Sequence, residues 1–485
     1  MHLQVKTEIS LFSDGELQRV LEKALEVLRK TPFIVQGTDE VFDHLTTFGC
    51  CVDGDKVSFP ETVIDKVLGR CAREKSKAQE APAVSAAPPP EVSVFTHGQA
   101  LHICDPETNL LREATTADLA QWCHFVEALG ITQRSHPTFI PTDCPIGSAD
   151  VRAFTTILLN SSRPYLVSVY SAPMLPFFIA ACEVALGSLD AVKAAPVFAA
   201  KGWVTSPFML DRENIDIAMD ARRLLGQPVQ FGHMPVAGSS TPVTVAGALI
   251  QNTAESLAIS ALRLAIDDLP QNITGSSAMT DMRHGFPRQI GPDLFLHFVA
   301  GREMHDYLYT GNRRSHGWGW CGAGAGTVCA QSILEKSMSF GLATAMGARS
   351  FGVGSLAFSD VGSPVQLIID LELAEYARKM FREVNIDDEH MGLDEILETA
   401  PRGGRYLASM NTAQFFRESC WLPSLCDFRP FSAWNNHPND IISGASKKAL
   451  ETLAEAENPC SLSDEQRRQI QQISDDADAL VQANS

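Results

Sequence analysis

Gln251 and Glu255 stand four residues apart in GALIQNTAESLAISALRLA, a stretch of helical periodicity, so their side chains share one face. A buried carboxylate presented in this way can hold a cation or give a proton to a departing amine. It can equally be a helix carboxylate tied to backbone or arginine partners, and the residues alone leave both readings open. His97, His136 and His233 each sit at or near the end of a short apolar run that reads as a strand. A lone histidine there is more often a satisfied core or rim residue; three at equivalent strand ends point to one functional member, with His233 the nearest to the Gln251–Glu255 helix. Trp318 and Trp320 are separated by one glycine, so strand alternation aims both at the same face. Tyr170 ends another run and Phe208 follows a further one. Aromatic faces suit a cation, each contributing ~0.5–2 kcal/mol, although any one of them can be plain packing. The turn Gly322-Ala323-Gly324-Ala325-Gly326 precedes a helix and can form a nest of N–H groups around an anion, with Gly324 and Gly326 as its hinges, or a packing turn.

Other constellations carry less. Three histidines with Cys321 and Cys329 supply zinc-ligand chemistry, but their spacing fits no compact ligand motif. Asp281 and Arg283 are opposite charges two apart, suited to bracing rather than reacting, and the vicinal Cys50-Cys51 lie far from the other candidates. A dinucleotide site would need a third glycine at Thr327 or Cys329, and no hydrolase elbow, P-loop or HExxH stretch is present.

The elements that must position these residues alternate along most of the chain. Strand candidates fall at Val92–Phe95, Ile131–Phe139, Pro164–Val169, Val197–Thr205, Pro228–His233, Asn272–Gly275, His316–Cys321 and Ser350–Val353, most followed by a helical stretch. Eight such units predict an α/β fold, a (β/α)₈ TIM barrel, over residues 92–375. Ahead of it, residues 1–76 read as a mostly helical module, with Asp14 as an N-cap, Pro60 at a helix start and a hairpin turning at Asp53-Gly54. Residues 77–91 (KAQEAPAVSAAPPPE) read as an Ala/Pro linker, and residues 376–485 as a helical extension packing on the barrel. Its last, polar helix suits a surface or a homo-oligomer contact.

The 485 residues carry 45% hydrophobic side chains and a net charge of −19, which fits a folded core and gives no basic stripe for nucleic acid. Twelve cysteines, a start without an apolar h-region and the lack of a long apolar run predict a cytoplasmic chain with no membrane span.

From His233 onward the sequence becomes specific. MPVAGSSTPVTVAGALIQNTAESLA followed by GSSAMTDMRHGFP resembles the signature of the trimethylamine/glycine-betaine corrinoid methyltransferase family. TTFGCCVDGDKVSFPETVIDKVL, LHICDPETNLLREATTADLAQWCHFVEAL and VNIDDEHMGLDEILETAPRGGRYLASMNTAQFFRE, with Trp421, Pro423, Asp427 and Trp434, resemble further family blocks in the same order. The resemblance implies transfer of a methyl group from a methylated amine to Co(I) of a corrinoid (cobalamin) carried by a separate partner protein, with no metal bound by the chain itself. Gln331 and Glu335-Lys336 are similar to the family motif that follows its pyrrolysine, which places that position near Gly326 in CGAGAGTVCAQS. No pyrrolysine stands there, so a small quaternary, betaine-like amine is the implied substrate. With the resemblance favouring a functional Glu255, the residues above point to Glu255 and His233 as catalytic groups, with Gln251, Trp318, Trp320, His97, His136, Tyr170, Gly324 and Gly326 around the substrate. A zinc-assisted methyltransferase and a binding barrel without chemistry are the alternatives.

Overall fold

The chain's computed structural model describes residues 10–80, 92–131, 133–134, 138–162, 167–194, 197–273, 275–310, 322–346, 348–380, 384–436 and 438–484. It is a mixed α/β structure dominated by helices.

The first helix, Asp14–Lys30, is capped by Ser13 rather than by Asp14. Ser13 accepts from the Glu16 N–H while Glu16 reaches back to Ser13, a capping box that satisfies two otherwise unpaired donors. Its apolar stripe, Leu17, Val20, Leu21, Ala24, Leu25 and Leu28, is buried. The expected hairpin forms from Cys51–Asp53 and Lys56–Ser58, with Gly54 in the left-handed conformation that its turn requires. The helix after it, Glu61–Glu80, begins just past Pro60 and runs four residues into the stretch expected to be a linker. Strand Phe33–Val35 pairs antiparallel with the hairpin and parallel with Met209–Leu210, far along the chain.

Two apolar cores follow from this. One joins Leu17, Leu28, Phe33 and Val57 to Leu210, Leu257, Leu262 and Met304. The other packs Trp122, Phe154, Phe178 and Phe351 with Ile470 and Ala477 of the last helix, Asp464–Ala483. The first core draws on residues to either side of residue 76, and the second on residues to either side of residue 376.

Ser93–Thr96 lies between two parallel neighbours, Gln133–Arg134 and Ser350–Val353, so the first expected strand sits beside the last. Val167–Ser168 pairs with Phe198–Ala199, Gly202–Val204 with Phe231–His233, and Val236–Ala237 with Ala278–Asp281, all parallel. The strands described make six small sheets, and they do not close into one eight-stranded barrel. All of the strands are only two to four residues long. The run expected as one strand at Val197–Thr205 splits into two, because its halves pair with different partners. Asn272–Gly275 carries no strand among its described residues; the strand lies further on, at Ala278–Asp281, and turns back through Phe286–Arg288. That hairpin brings Arg283 onto Asp281, a bracing ion pair at 2.6 Å. The expected seventh strand, His316–Cys321, lies outside the described residues. No helix described is long and apolar enough to cross a membrane.

Candidate active site

His233 closes the strand Phe231–His233, directly opposite Val204 of the neighbouring parallel strand. Beyond Val204 the chain turns through Thr205, a cis Ser206–Pro207 bond and Phe208 at φ 54°, which sets Ser206 beside His233. The long helix Val245–Asp267 starts at Thr244, whose side chain accepts the Gly247 N–H. Its third turn delivers Glu255 to the same strand ends.

There the carboxylate is completely buried. Glu255 Oε2 lies 2.6 Å from His233 Nε2 and accepts the Ser206 hydroxyl at 2.6 Å. Glu255 Oε1 accepts the Gln251 amide at 2.7 Å, and the same amide nitrogen donates to the Ser240 carbonyl at 2.7 Å. Ser206 Oγ is also 3.2 Å from His233 Nε2. The carboxylate is thus held by three side chains, and among the described residues no arginine or lysine pairs with it. A carboxylate charge there is surrounded by imidazole, hydroxyl and amide dipoles. Such a charge is costly to bury alone, and a cation seated against it offsets that cost. Ser206 is half-buried and Met234 exposed, so the cluster lies under a thin cover at the strand ends.

The other expected site residues are placed differently. His97 follows the strand Ser93–Thr96; its buried ring lies 3.1 Å from Ser355 Oγ and covers Gly352, where a Cβ would come within 2.3 Å of the ring. Tyr170 follows Val167–Ser168 with 40% of its surface exposed. Phe208 packs edge-on against Phe33 in the N-terminal core, its ring centre 6.1 Å away. The Gly-rich turn does bind an anion, but the anion is internal: Gly324 and Ala325 donate their N–H groups to Glu335 Oε2 at 2.8 and 3.3 Å, and Gln331 steadies Oε1 at 2.9 Å. Gly326 faces Leu111. His136, Trp318, Trp320 and Cys321 lie outside the described residues. Among those described, no three His, Cys, Asp or Glu side chains converge as metal ligands, so the zinc reading has no assembled ligand set there.

Two polar groups near the strand ends were not anticipated. Ser206 is one; a Ser-Pro pair directly after a strand was its only signal. Asp150 is the other, opening the helix Ala149–Asn160 and accepting the Tyr170 and Val151 N–H groups at 2.8 Å each. Burial pushes its carboxyl up to about 6, against the lowering effect of those N–H bonds. Folding therefore favours the protonated form over the unfolded chain, where the value is 3.8. The resulting stabilisation is complete below about pH 4 and is lost as the pH rises through 6, a change of about 3 kcal/mol. Thermal unfolding followed from pH 4 to 7 should show this fall in the wild type and not in Asp150→Asn; parallel pH profiles would refute it.

The trimethylamine methyltransferase family model matches residues 3–476. A glycine betaine methyltransferase of Desulfitobacterium hafniense (strain Y51) is 23% identical over 442 residues, covering 89% of each chain. Trimethylamine methyltransferase MttB of Desulfitobacterium hafniense (strain DSM 10664 / DCB-2) is 22% identical, covering 84% of this chain and 82% of its own. The MttB of Methanosarcina thermophila is 24% identical over 472 residues, covering 92% and 93%. A match that runs almost end to end takes in the Glu255 cluster and the elements that build it, and this chain belongs to the trimethylamine methyltransferase family of enzymes.

Proposed function

We propose that the chain moves a methyl group from a small quaternary, betaine-like amine to Co(I) of a corrinoid carried by a separate protein. The observation that carries the reading is Glu255, a fully buried carboxylate held by Ser206, His233 and Gln251 with no arginine or lysine paired to it among the described residues. That geometry suits a substrate that brings its own positive charge.

The corrinoid, as acceptor, supplies the electron pair that forms the new bond to the methyl carbon. The C–N bond breaks with its electrons staying on nitrogen, so the amine leaves neutral and no proton is needed from the chain. Glu255 then acts mainly by holding the cation, while Ser206, Gln251 and His233 fix the carboxylate. Keeping water away from Glu255 strengthens the attraction. In this reading Trp318, Trp320, Tyr170, His97 and His136 complete the surroundings of the substrate.

The same reading takes the fold as a (β/α)₈ barrel flanked by the N-terminal module and the helical extension. Its support is that the first and last expected strands are parallel neighbours and that His233, His97 and Ser206 all stand just at or past strand C-terminal ends, where barrel enzymes build their sites. The eleven described cysteines form no disulfide with one another, in keeping with a reducing cytoplasmic setting.

The test is a thermal-shift screen with trimethylamine, glycine betaine, carnitine, proline betaine and dimethylsulfoniopropionate, followed by methyl transfer from each responder to free cob(I)alamin. A true substrate at a hundred times its dissociation constant should stabilise the fold by ~2.7 kcal/mol. Response and transfer with a quaternary amine are expected; a response to trimethylamine alone would overturn the substrate assignment.

A further inference from the structure

We infer that Lys201 holds a small carboxylate, on the face of its strand turned away from the helices. Residues 198–204 run between two parallel neighbours, Val167–Ser168 on one side and Phe231–His233 on the other. The even-numbered positions face helices. Phe198 packs against Phe154 and Phe178, and a Cβ on Gly202 would meet the Asn214 carbonyl of the helix Arg212–Leu225 at 2.2 Å. Strand alternation therefore turns Ala199, Lys201 and Trp203 to the opposite face. The Trp203 ring bears this out by lying over Gly232, where a Cβ would come within 2.3 Å of it. On the other neighbour Ser168 stands opposite Ala199, and the Val169 N–H continues the pairing to the Ala199 carbonyl. Ser168 and Tyr170 thus share the face of Lys201.

The polar groups gathered there are donors without an acceptor. Lys201 Nζ sits 4.5 Å from the centre of the Trp203 ring and makes no hydrogen bond or ion pair among the described residues. Burial pushes the ammonium down, and no nearby carboxylate opposes that shift. Ser168 is fully buried, and its Oγ finds no partner among the described residues. Tyr170 keeps 40% of its surface open, yet burial pushes its hydroxyl up, so the open part lies in a recess rather than in bulk water. In a chain of net charge −19, a lysine drawn out of water and left without an acid is unusual. Glu255 is not its partner. That carboxylate meets His233 on the helix side, the face that His233 shares with Val204.

One ammonium and two hydroxyls match a small monoanion. A phosphate, with its second charge, would call for a further cation. A carboxylate accepts several such donors on its two oxygens and can rest its carbon end on the flat Trp203 ring. Two sources supply this chemistry. The carboxylate can be the acid end of the methyl donor, in which case the inference rests on the proposed function and Trp203 and Tyr170 are at hand for the ammonium. It can also belong to a separate small acid.

Titration calorimetry of the full chain with glycine betaine, choline and acetate, at constant ionic strength with chloride as the balancing anion, tests this. If the donor supplies the carboxylate, the wild type prefers glycine betaine to choline by roughly tenfold or more, and Lys201→Met loses the preference with choline unaffected. If a separate acid supplies it, acetate binds alongside either amine, and Lys201→Met loses acetate alone. Lys201→Arg should keep part of the binding in both cases. The unliganded Lys201→Met protein is expected to melt at or above the wild-type temperature, since methionine keeps an apolar stem and removes an unpaired charge. Lys201→Met with unchanged affinity for both acetate and glycine betaine overturns the inference, and so does a lower melting temperature, which would make the lysine structural. The proposed function fails separately, if no quaternary amine binds or gives up a methyl group; acetate bound through Lys201 would stand in that case.

Discussion

Glu255→Gln is expected to raise KM for a quaternary amine by roughly thirtyfold or more while leaving kcat within about tenfold. The magnitude is that of removing one partner of a buried, hydrogen-bonded charge pair, ~2–5 kcal/mol. The split follows from where the charge goes. In the ground state the nitrogen carries a full positive charge, and by the transition state part of it has been neutralised as the C–N bond lengthens. A carboxylate that attracts the cation thus acts at least as strongly on the bound substrate as on the transition state, and such an interaction appears in KM. If Glu255 instead delivers a proton to the departing amine, the same substitution lowers kcat by ~10²–10⁴ and removes a limb of the pH–rate profile. Steady-state kinetics with free cob(I)alamin as acceptor, run at several pH values, tells the two apart. Glu255→Ala adds a structural cost, because Ser206, His233 and Gln251 are left facing a hole at 2.6–2.7 Å from where their acceptor stood. Unchanged KM and kcat in Glu255→Gln would remove Glu255 from the site.

The part of this cluster that was readable in sequence is the part that is local. Gln251 and Glu255 share a face because helical periodicity fixes residues four apart, and they meet at 2.7 Å. Ser350–Val353 was readable as a strand for a similar reason, its pattern lying within a few residues. Ser206 was not, since its approach to Glu255, forty-nine residues later, depends on Gly202–Val204 pairing with Phe231–His233 and on the turn after Val204. Phe208 was open in sequence between a substrate wall and plain packing, and its contact with Phe33 depends on the N-terminal module folding against it. The Gly-rich turn was legible as an anion holder, but a run of glycines cannot say which carboxylate fills it, and here Glu335 does. The strand expected at Asn272–Gly275 was misplaced because both it and Ala278–Asp281 are short and mixed in polarity. Only the pairing with Val236–Ala237 selects between them.

Lys336→Met is expected to destabilise the fold by ~3–5 kcal/mol, the cost of leaving one member of a buried ion pair alone. Both partners are fully buried, with Lys336 Nζ 2.6 Å from Asp370 Oδ2. Burial raises the Asp370 carboxyl, and Lys336, the Gly354 N–H at 2.8 Å and the Gln366 amide at 2.9 Å oppose that rise. Without the ammonium, two neutral donors remain to hold a carboxylate in the interior. Asp370→Asn should be destabilising as well, because it strands the ammonium. The double variant Lys336→Met with Asp370→Leu should be more stable than either single change, since apolar side chains can replace a buried pair with little loss. Chemical denaturation of the four proteins checks the cycle, and single variants within 1 kcal/mol of the wild type would show that the pair is not what holds this region. The consequence for the site runs through one helix. Lys336 follows Glu335 on Ala330–Ala345, so the residue that locks this helix to the helix Pro364–Met380 adjoins the one that grips Gly324 and Ala325. Freeing Lys336 should loosen that grip, and the Gly-rich turn should gain hydrogen exchange before the Glu255 helix does.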